Sequence, residues 1–169
     1  MRFNTLQQEI INLLKGTSTM ICCAESCTGG MVASALTDLP GSSTIFDRGF
    51  VTYSNNAKID ILGVDEQTLK CFGAVSEEVA QEMAKGALDR SQASLSISIT
   101  GIAGPGGSDF KPEGRVCFGF ALSNGTCTAQ TVEFGAIGRS QVREASCKFA
   151  LEVICLLYTS PSPRDGRES

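Results

Sequence analysis

The chain has 169 residues, 42% of them apolar and 19% charged, which is one domain's worth of folding sequence and too apolar for a disordered chain. Fourteen basic against eighteen acidic residues give a formal charge of −4, against the broad basic field of a nucleic-acid binder. There is no histidine, which excludes Ser–His and Cys–His nucleophiles, imidazole metal ligands and imidazole acid–base chemistry.

Leu6, Ile10, Leu13 and Leu14 recur at helical spacing across residues 4–15, with Gly16 as the stop. The apolar run 19–24 predicts a buried strand that ends in Glu25-Ser26-Cys27-Thr28-Gly29-Gly30. A helix follows over 31–39, closed by Pro40-Gly41, and residues 44–53 predict a second strand with a bulge at Gly49. Ser54-Asn55 caps a short helix over 56–62 that Gly63 ends. Ser76-Glu77-Glu78-Val79 is close to a capping box and opens a helix with Val79, Met83, Ala87 and Leu88 on its apolar face. Residues 93–100 alternate Leu95, Ile97 and Ile99 with serines, as a strand does, and run into the glycine-rich loop 101–107. Two strands, 115–122 and 126–134, flank the hairpin signal Asn124-Gly125. The last helix spans 139–157 with Val142, Phe149, Val153 and Leu156 on one side. Residues 158–169 hold two of the five prolines and almost no apolar residues, and are expected to be a disordered or non-native tail outside a domain of residues 1–157.

This order predicts an α/β fold, a three-layer α/β/α sandwich with a mixed, mostly parallel sheet. Right-handed crossovers bring the C-terminal ends of the first three strands to one edge, where open α/β sheets bind ligands. Segments 25–30, 53–58 and 101–107 converge there.

Ser26, Cys27 and Thr28 precede a helix start, where orphan N–H groups favour an anion, a nucleophile or an oxyanion; simple N-capping accounts for the same residues. Without histidine, Ser26 needs another base, and a desolvated Lys58 at the same edge supplies one, with Tyr53 relaying the proton or holding the lysine. A solvated helix lysine is the plain alternative, and Cys27 is a rival nucleophile. The glycine loop offers backbone donors but lacks the P-loop ending and the GxGxxG spacing, and a plain turn fits it equally. Arg139 and Arg143, one helical turn apart, form either a phosphate or carboxylate clamp or two solvated side chains. The eight cysteines include no CxxC pair, no secretory signal precedes them and no run is long enough for a membrane span. A reducing, cytoplasmic location with free thiols is expected, Cys22, Cys117 and Cys155 acting as small core residues.

Several motifs in one order carry a resemblance: AESCTGG (24–30), PGSS (40–43), RGFVTYSNNAK (48–58), LGV (62–64), GAVSEE (73–78), TGIAGPGG (100–107) and KPEGRV (111–116). Together, over about residues 5–155, they resemble the C-terminal domain of the competence/damage-inducible CinA proteins, a domain that also occurs alone as a bacterial nicotinamide-nucleotide amidase. The resemblance implies a standalone, usually dimeric hydrolase. Its reaction converts nicotinamide mononucleotide to nicotinic acid mononucleotide and ammonia in pyridine nucleotide salvage, at a Ser–Lys site with no metal and no cofactor. Carried over, Ser26, Lys58 and Tyr53 are catalytic; Thr28, Gly29, Gly30, Gly101 and Gly104 line the site; Arg139 or Arg143 holds the phosphate. The implied partners are a small nucleotide and a second copy of the chain, with no nucleic acid and no membrane. Two departures stand out: Ile137-Gly138-Arg139 where the family often has Gly-Asp-Arg, and Glu113 where it has valine. A catalytically silent binding module and an amidase for another substrate are the competing readings.

Overall fold

The computed structural model describes residues 3–108 and 110–159. Helix α1 (Asn4–Leu14) leads into β1 (Ile21–Glu25), followed by α2 (Met31–Leu36), β2 (Phe46–Val51), α3 (Asn55–Leu62), α4 (Glu66–Phe72) and α5 (Glu77–Asp89). Strand β3 (Leu95–Gly101), the hairpin β4 (Arg115–Leu122) and β5 (Cys127–Glu133), and α6 (Arg139–Thr159) complete the chain. The strands form one sheet in the order β2-β1-β3-β4-β5. The β1 pairings with β2 and β3 are parallel, and those of β4 with β3 and β5 antiparallel, so β4 alone runs against the other four. The sheet is therefore mixed, with most strands pointing one way, as expected.

Helices α1, α2 and α6 cover one face, packing Ile10, Leu14, Val32 and Leu151 over Ile21, Cys23 and Ile97. On the other face Leu62, Leu69, Val79 and Met83 of α3, α4 and α5 pack over Cys22 and Ala24. Covering both faces buries every residue of β1, which is why that strand reads as a continuous run without alternation. The alternation in β3 has a different cause. Its serines are also buried, and Ser98 Oγ donates to the Ala80 carbonyl of α5. Opposite it, a Cβ on Gly119 would lie 2.2 Å from that same carbonyl oxygen, so glycine lets α5 seat directly on the sheet.

The caps follow the local signals. Ser54 accepts from the Ala57 N–H, Gly63 ends α3 at φ +72°, and Ser76 accepts from the Val79 N–H. Four expectations need correction. The register shift in β2 falls between Phe46 and Arg48, opposite Ile21 and Cys22, so the extra residue is Asp47 and not Gly49. Gly49 answers to packing, since a Cβ there would sit 3.0 Å from Cys23 Sγ and 3.1 Å from Ala33 Cβ. Helix α4 was not anticipated, although Asp65 caps it through the Gln67 N–H. Helix α2 ends at Leu36, short of the expected 39. On α6 the buried stripe is Val142, Cys147, Ala150, Leu151 and Ile154, whereas Leu156 is 59% exposed. That helix reaches Thr159, with Tyr158 half-buried on the core; residues 160–169 of the expected tail lie outside the described residues.

All eight cysteines are free, and Cys22, Cys117 and Cys155 are buried as core residues. No helix among the described residues is long and apolar enough to cross a membrane.

Candidate active site

Because β2, β1 and β3 are parallel neighbours, their C-terminal ends open on one edge, and the three expected segments meet there around a cleft of about 330 Å³. Ser26 follows β1 directly. Its N–H is tied to the Ile99 carbonyl at 2.9 Å, and its own carbonyl accepts from the Gly29 N–H at 3.1 Å, closing a turn over residues 26–29. Lys58 stands in the first turn of α3, and only 1% of it is exposed. Its Nζ donates to Ser26 Oγ at 3.0 Å, to the Thr52 carbonyl at 2.9 Å and to the Tyr53 carbonyl at 3.1 Å. None of these three partners is charged, so burial dominates and lowers the lysine pKa from 10.5 to about 8, with Cys27 acting weakly the other way. Ser26 and a depressed lysine, in contact and both lining the cleft, are a pair that can act as nucleophile and base without histidine.

Tyr53 divides its contributions. The main-chain carbonyl holds Lys58 and accepts from Ser26 Oγ at 3.3 Å. The phenol, on a residue 61% exposed, accepts from Arg139 Nη2 at 3.1 Å. Holding the lysine is thus done by backbone, and the hydroxyl is turned toward the arginine.

The N-terminus of α2 does not serve the cleft as expected. The fully buried Glu25 carboxylate accepts from the Gly30, Val32 and Ala33 N–H groups at 3.2, 3.0 and 2.9 Å. Those donors, and the positive end of a six-residue helix, face Glu25 instead of a ligand. Thr28, Gly29 and Gly30 accordingly lie outside the cleft lining; the two glycines supply the φ values of +57° and +105° that turn the chain into α2. Cys27 lines the cleft, but burial pushes its thiol up to about 12, which removes the thiolate that a rival nucleophile needs.

Gly101 and Gly104 line the cleft as expected. The glycine loop is gripped from both sides: Glu113 Oε1 accepts from the Gly106 N–H at 2.6 Å, and Arg139 Nη1 donates to the Gly104 carbonyl at 2.6 Å. Both family departures find their place here. Glu113 anchors the loop, and the Gly104 carbonyl and Tyr53 phenol orient Arg139. The arginine pair separates. Arg139 faces the cleft, whereas Arg143 lies behind it, its Nε donating to the Cys27 carbonyl at 3.0 Å and its Nη2 to the Thr28 carbonyl at 3.3 Å.

Sequence reasoning missed Asn55, Val75 and Thr100 in the lining and Glu25 as the cap of α2. Thr100 Oγ1 donates to the Ala74 carbonyl, and Lys111 Nζ donates to the Phe72 and Val75 carbonyls, which draws segment 73–75 to the cleft. Only Glu25 carried a local signal, an acid at a strand end six residues before the first residue of a helix. Among the described residues no group of three or more His, Cys, Asp or Glu side chains is arranged to hold a metal ion.

The family model described as the CinA C-terminal domain matches residues 3–157. The nicotinamide-nucleotide amidohydrolase PncC of Enterobacter agglomerans is 49% identical over 152 residues, covering 89% of this chain and 92% of that protein. A putative competence-damage inducible protein of Caldicellulosiruptor saccharolyticus is 48% identical over 152 residues, and there the chain spans 36% of the longer protein. The crystal structure of competence/damage inducible protein CihA from Agrobacterium tumefaciens superposes with a TM-score of 0.89 at 46% identity, over 93% of this chain and 96% of that one.

Proposed function

The chain belongs to the CinA C-terminal domain family, and on that premise we propose that it is an amidohydrolase converting nicotinamide mononucleotide to nicotinic acid mononucleotide and ammonia. One observation carries the reading: a buried Lys58 Nζ, with a lowered pKa and no charged partner, 3.0 Å from Ser26 Oγ. As Ser26 Oγ attacks the carboxamide carbon, neutral Lys58 takes the hydroxyl proton and the carbonyl electron pair moves onto oxygen. On collapse of the tetrahedral intermediate the C–N bond breaks, and Lys58 returns the proton to the departing nitrogen, which leaves as ammonia. Water then attacks the acyl ester with Lys58 again as base, freeing the carboxylate and restoring Ser26. At the cleft mouth, Arg139 uses two N–H groups on Gly104 and Tyr53, and the remaining three of its five donors suit a phosphate. The same reading takes the enzyme as a cytoplasmic homodimer in pyridine nucleotide salvage, as the family resemblance implies.

The test is chromatographic quantification of acid product from nicotinamide mononucleotide, using the parent, Ser26→Ala, Lys58→Met and Cys27→Ala. Losses of ~10³-fold or more are expected for the first two variants, while Cys27→Ala stays within about fivefold of the parent. A folded parent that releases no product would move the assignment to a binding module. Turnover of free nicotinamide in preference to the nucleotide would move it to another amidase. Undiminished activity in Ser26→Ala would remove Ser26 as nucleophile.

A further inference from the structure

We propose that Arg143 is a positioning residue for the nucleophile, a role that rests on the Ser26–Lys58 reading above. From one turn into α6 it reaches across to the loop after β1 and donates to two successive carbonyls, Nε to Cys27 and Nη2 to Thr28. The Thr28 carbonyl also accepts from the Met31 N–H at 3.0 Å, and the Gly29 N–H closes on the Ser26 carbonyl. A peptide unit is planar, so holding its carbonyl fixes the whole plane. The Gly29 N–H holds the plane 26–27 through the Ser26 carbonyl, Arg143 alone holds the next plane, 27–28, and the plane 28–29 is held by Arg143, by the Met31 N–H and by the Gly29 N–H itself. The Ser26 N–H is tied to Ile99, so the plane entering the serine is held as well. The Cα–Cβ direction of Ser26 is thereby set, and only its χ1 is left to bring Oγ to Lys58.

The grip from α6 matters because the rest of the turn has few alternatives. Cys27 is 6% exposed, so its carbonyl, once released by Arg143, has little access to water, whereas the Thr28 carbonyl keeps the Met31 N–H. Glu25 holds the N–H groups of α2 on the other side, so the turn is fastened by an acid on its donors and a base on its acceptors. A lysine at 143 would bring a point charge in place of a fork and reach one carbonyl at a time. The role differs from the ligand clamp that the spacing of Arg139 and Arg143 suggests, and the difference is measurable. A clamp changes KM; a positioning residue changes kcat and the intrinsic reactivity of Ser26.

The experiment compares the parent, Arg143→Lys and Arg143→Met in two assays: steady-state turnover of nicotinamide mononucleotide, and the rate of Ser26 sulfonylation by phenylmethanesulfonyl fluoride, read by mass spectrometry. In the labelling reaction Oγ bonds to sulfur, fluoride leaves and Lys58 takes the proton, so no phosphate site is involved. Arg143→Met is expected to lower kcat and the labelling rate together by ~10²-fold, the effect of about 1 Å of misplacement, with KM within twofold of the parent. Arg143→Lys is expected to recover part of both. If thermal melting shows that Arg143→Met is unfolded, Arg143→Lys decides alone, with an expected loss of about three- to tenfold in both rates. A rise in KM at unchanged kcat, or unchanged labelling in the folded variants, would overturn the proposal. A parent that neither turns over the nucleotide nor is labelled at Ser26 removes the catalytic reading, and the positioning role with it.

Discussion

Lys58 makes the pH dependence of this enzyme a direct test of its mechanism. The perturbation is pH itself, between 6.5 and 10, chosen to stay above the second phosphate ionisation near ~6. With a pKa of about 8 in place of 10.5, about 9% of Lys58 is neutral at pH 7 instead of ~0.03%, a gain of ~300-fold in the population of the base. In the proposed mechanism the neutral form accepts the serine proton, so log kcat/KM is expected to rise with unit slope below pH 8 and to level off above it. Direct chromatographic measurement of acid product avoids a coupling enzyme with its own pH profile. A profile that is flat through pH 8, or that keeps climbing to a break near 10.5, would refute Lys58 as a desolvated base. The same shift has a stability signature. Between about pH 8 and 10.5 the unfolded chain holds a proton on this lysine that the native state has released, so this group makes the native state more stable as pH rises. Buried Cys23 and Cys27, whose pKa values are raised by burial, act in the opposite direction above their ordinary value of 9.0. The comparison therefore has to be with Lys58→Met. The stability difference between parent and variant is expected to move in the parent's favour from pH 7.5 to 9.5, by at most ~1.4 kcal/mol per unit. A constant difference would mean that the lysine has an ordinary pKa.

Two further substitutions test the scaffold under the site. Glu25→Ala leaves the buried Val32 N–H and the part-buried Gly30 and Ala33 N–H groups without their acceptor, and at roughly 1–3 kcal/mol for an unsatisfied buried group, less for the two part-buried ones, the denaturation midpoint should fall by the equivalent of about 2–3 kcal/mol. Glu25→Gln, which keeps one acceptor oxygen, should lose distinctly less; equal losses would show that the carboxylate is not the cap. Gly86→Ala sets two effects against each other inside α5. Helix propensity favours alanine by ~1 kcal/mol, but a Cβ at this position would lie 2.0 Å from the Leu62 carbonyl oxygen, an overlap with backbone that should cost about 2–3 kcal/mol. Thermal melting should therefore show a drop of several degrees, and a rise would mean that α3 and α5 are not seated as closely as the structure has them.

The sequence by itself was enough for many of the features that depend on near neighbours along the chain, although it missed α4 and its Asp65 cap. Ser54, Gly63 and Ser76 mark helix ends because a cap acts within three or four residues, and Asn124-Gly125 marks a hairpin because its turn is local. The absence of histidine, a property of composition alone, already directed the search for a base to Lys58. Chain order even brought segments 25–30, 53–58 and 101–107 to one edge, since parallel strands with right-handed crossovers allow little else. What only the tertiary structure decided concerns partners far apart in sequence. Arg139 and Arg143 look alike as neighbours on a helix, yet one meets Gly104 and Tyr53 and the other meets Cys27 and Thr28, more than a hundred residues away. Helix N-termini look like anion sites until a buried acid such as Glu25 is found to occupy the donors. Burial itself, which lowers the Lys58 pKa and raises that of Cys27, is set by the layers packed around each group, and so the direction of both shifts comes from packing across the sheet edge.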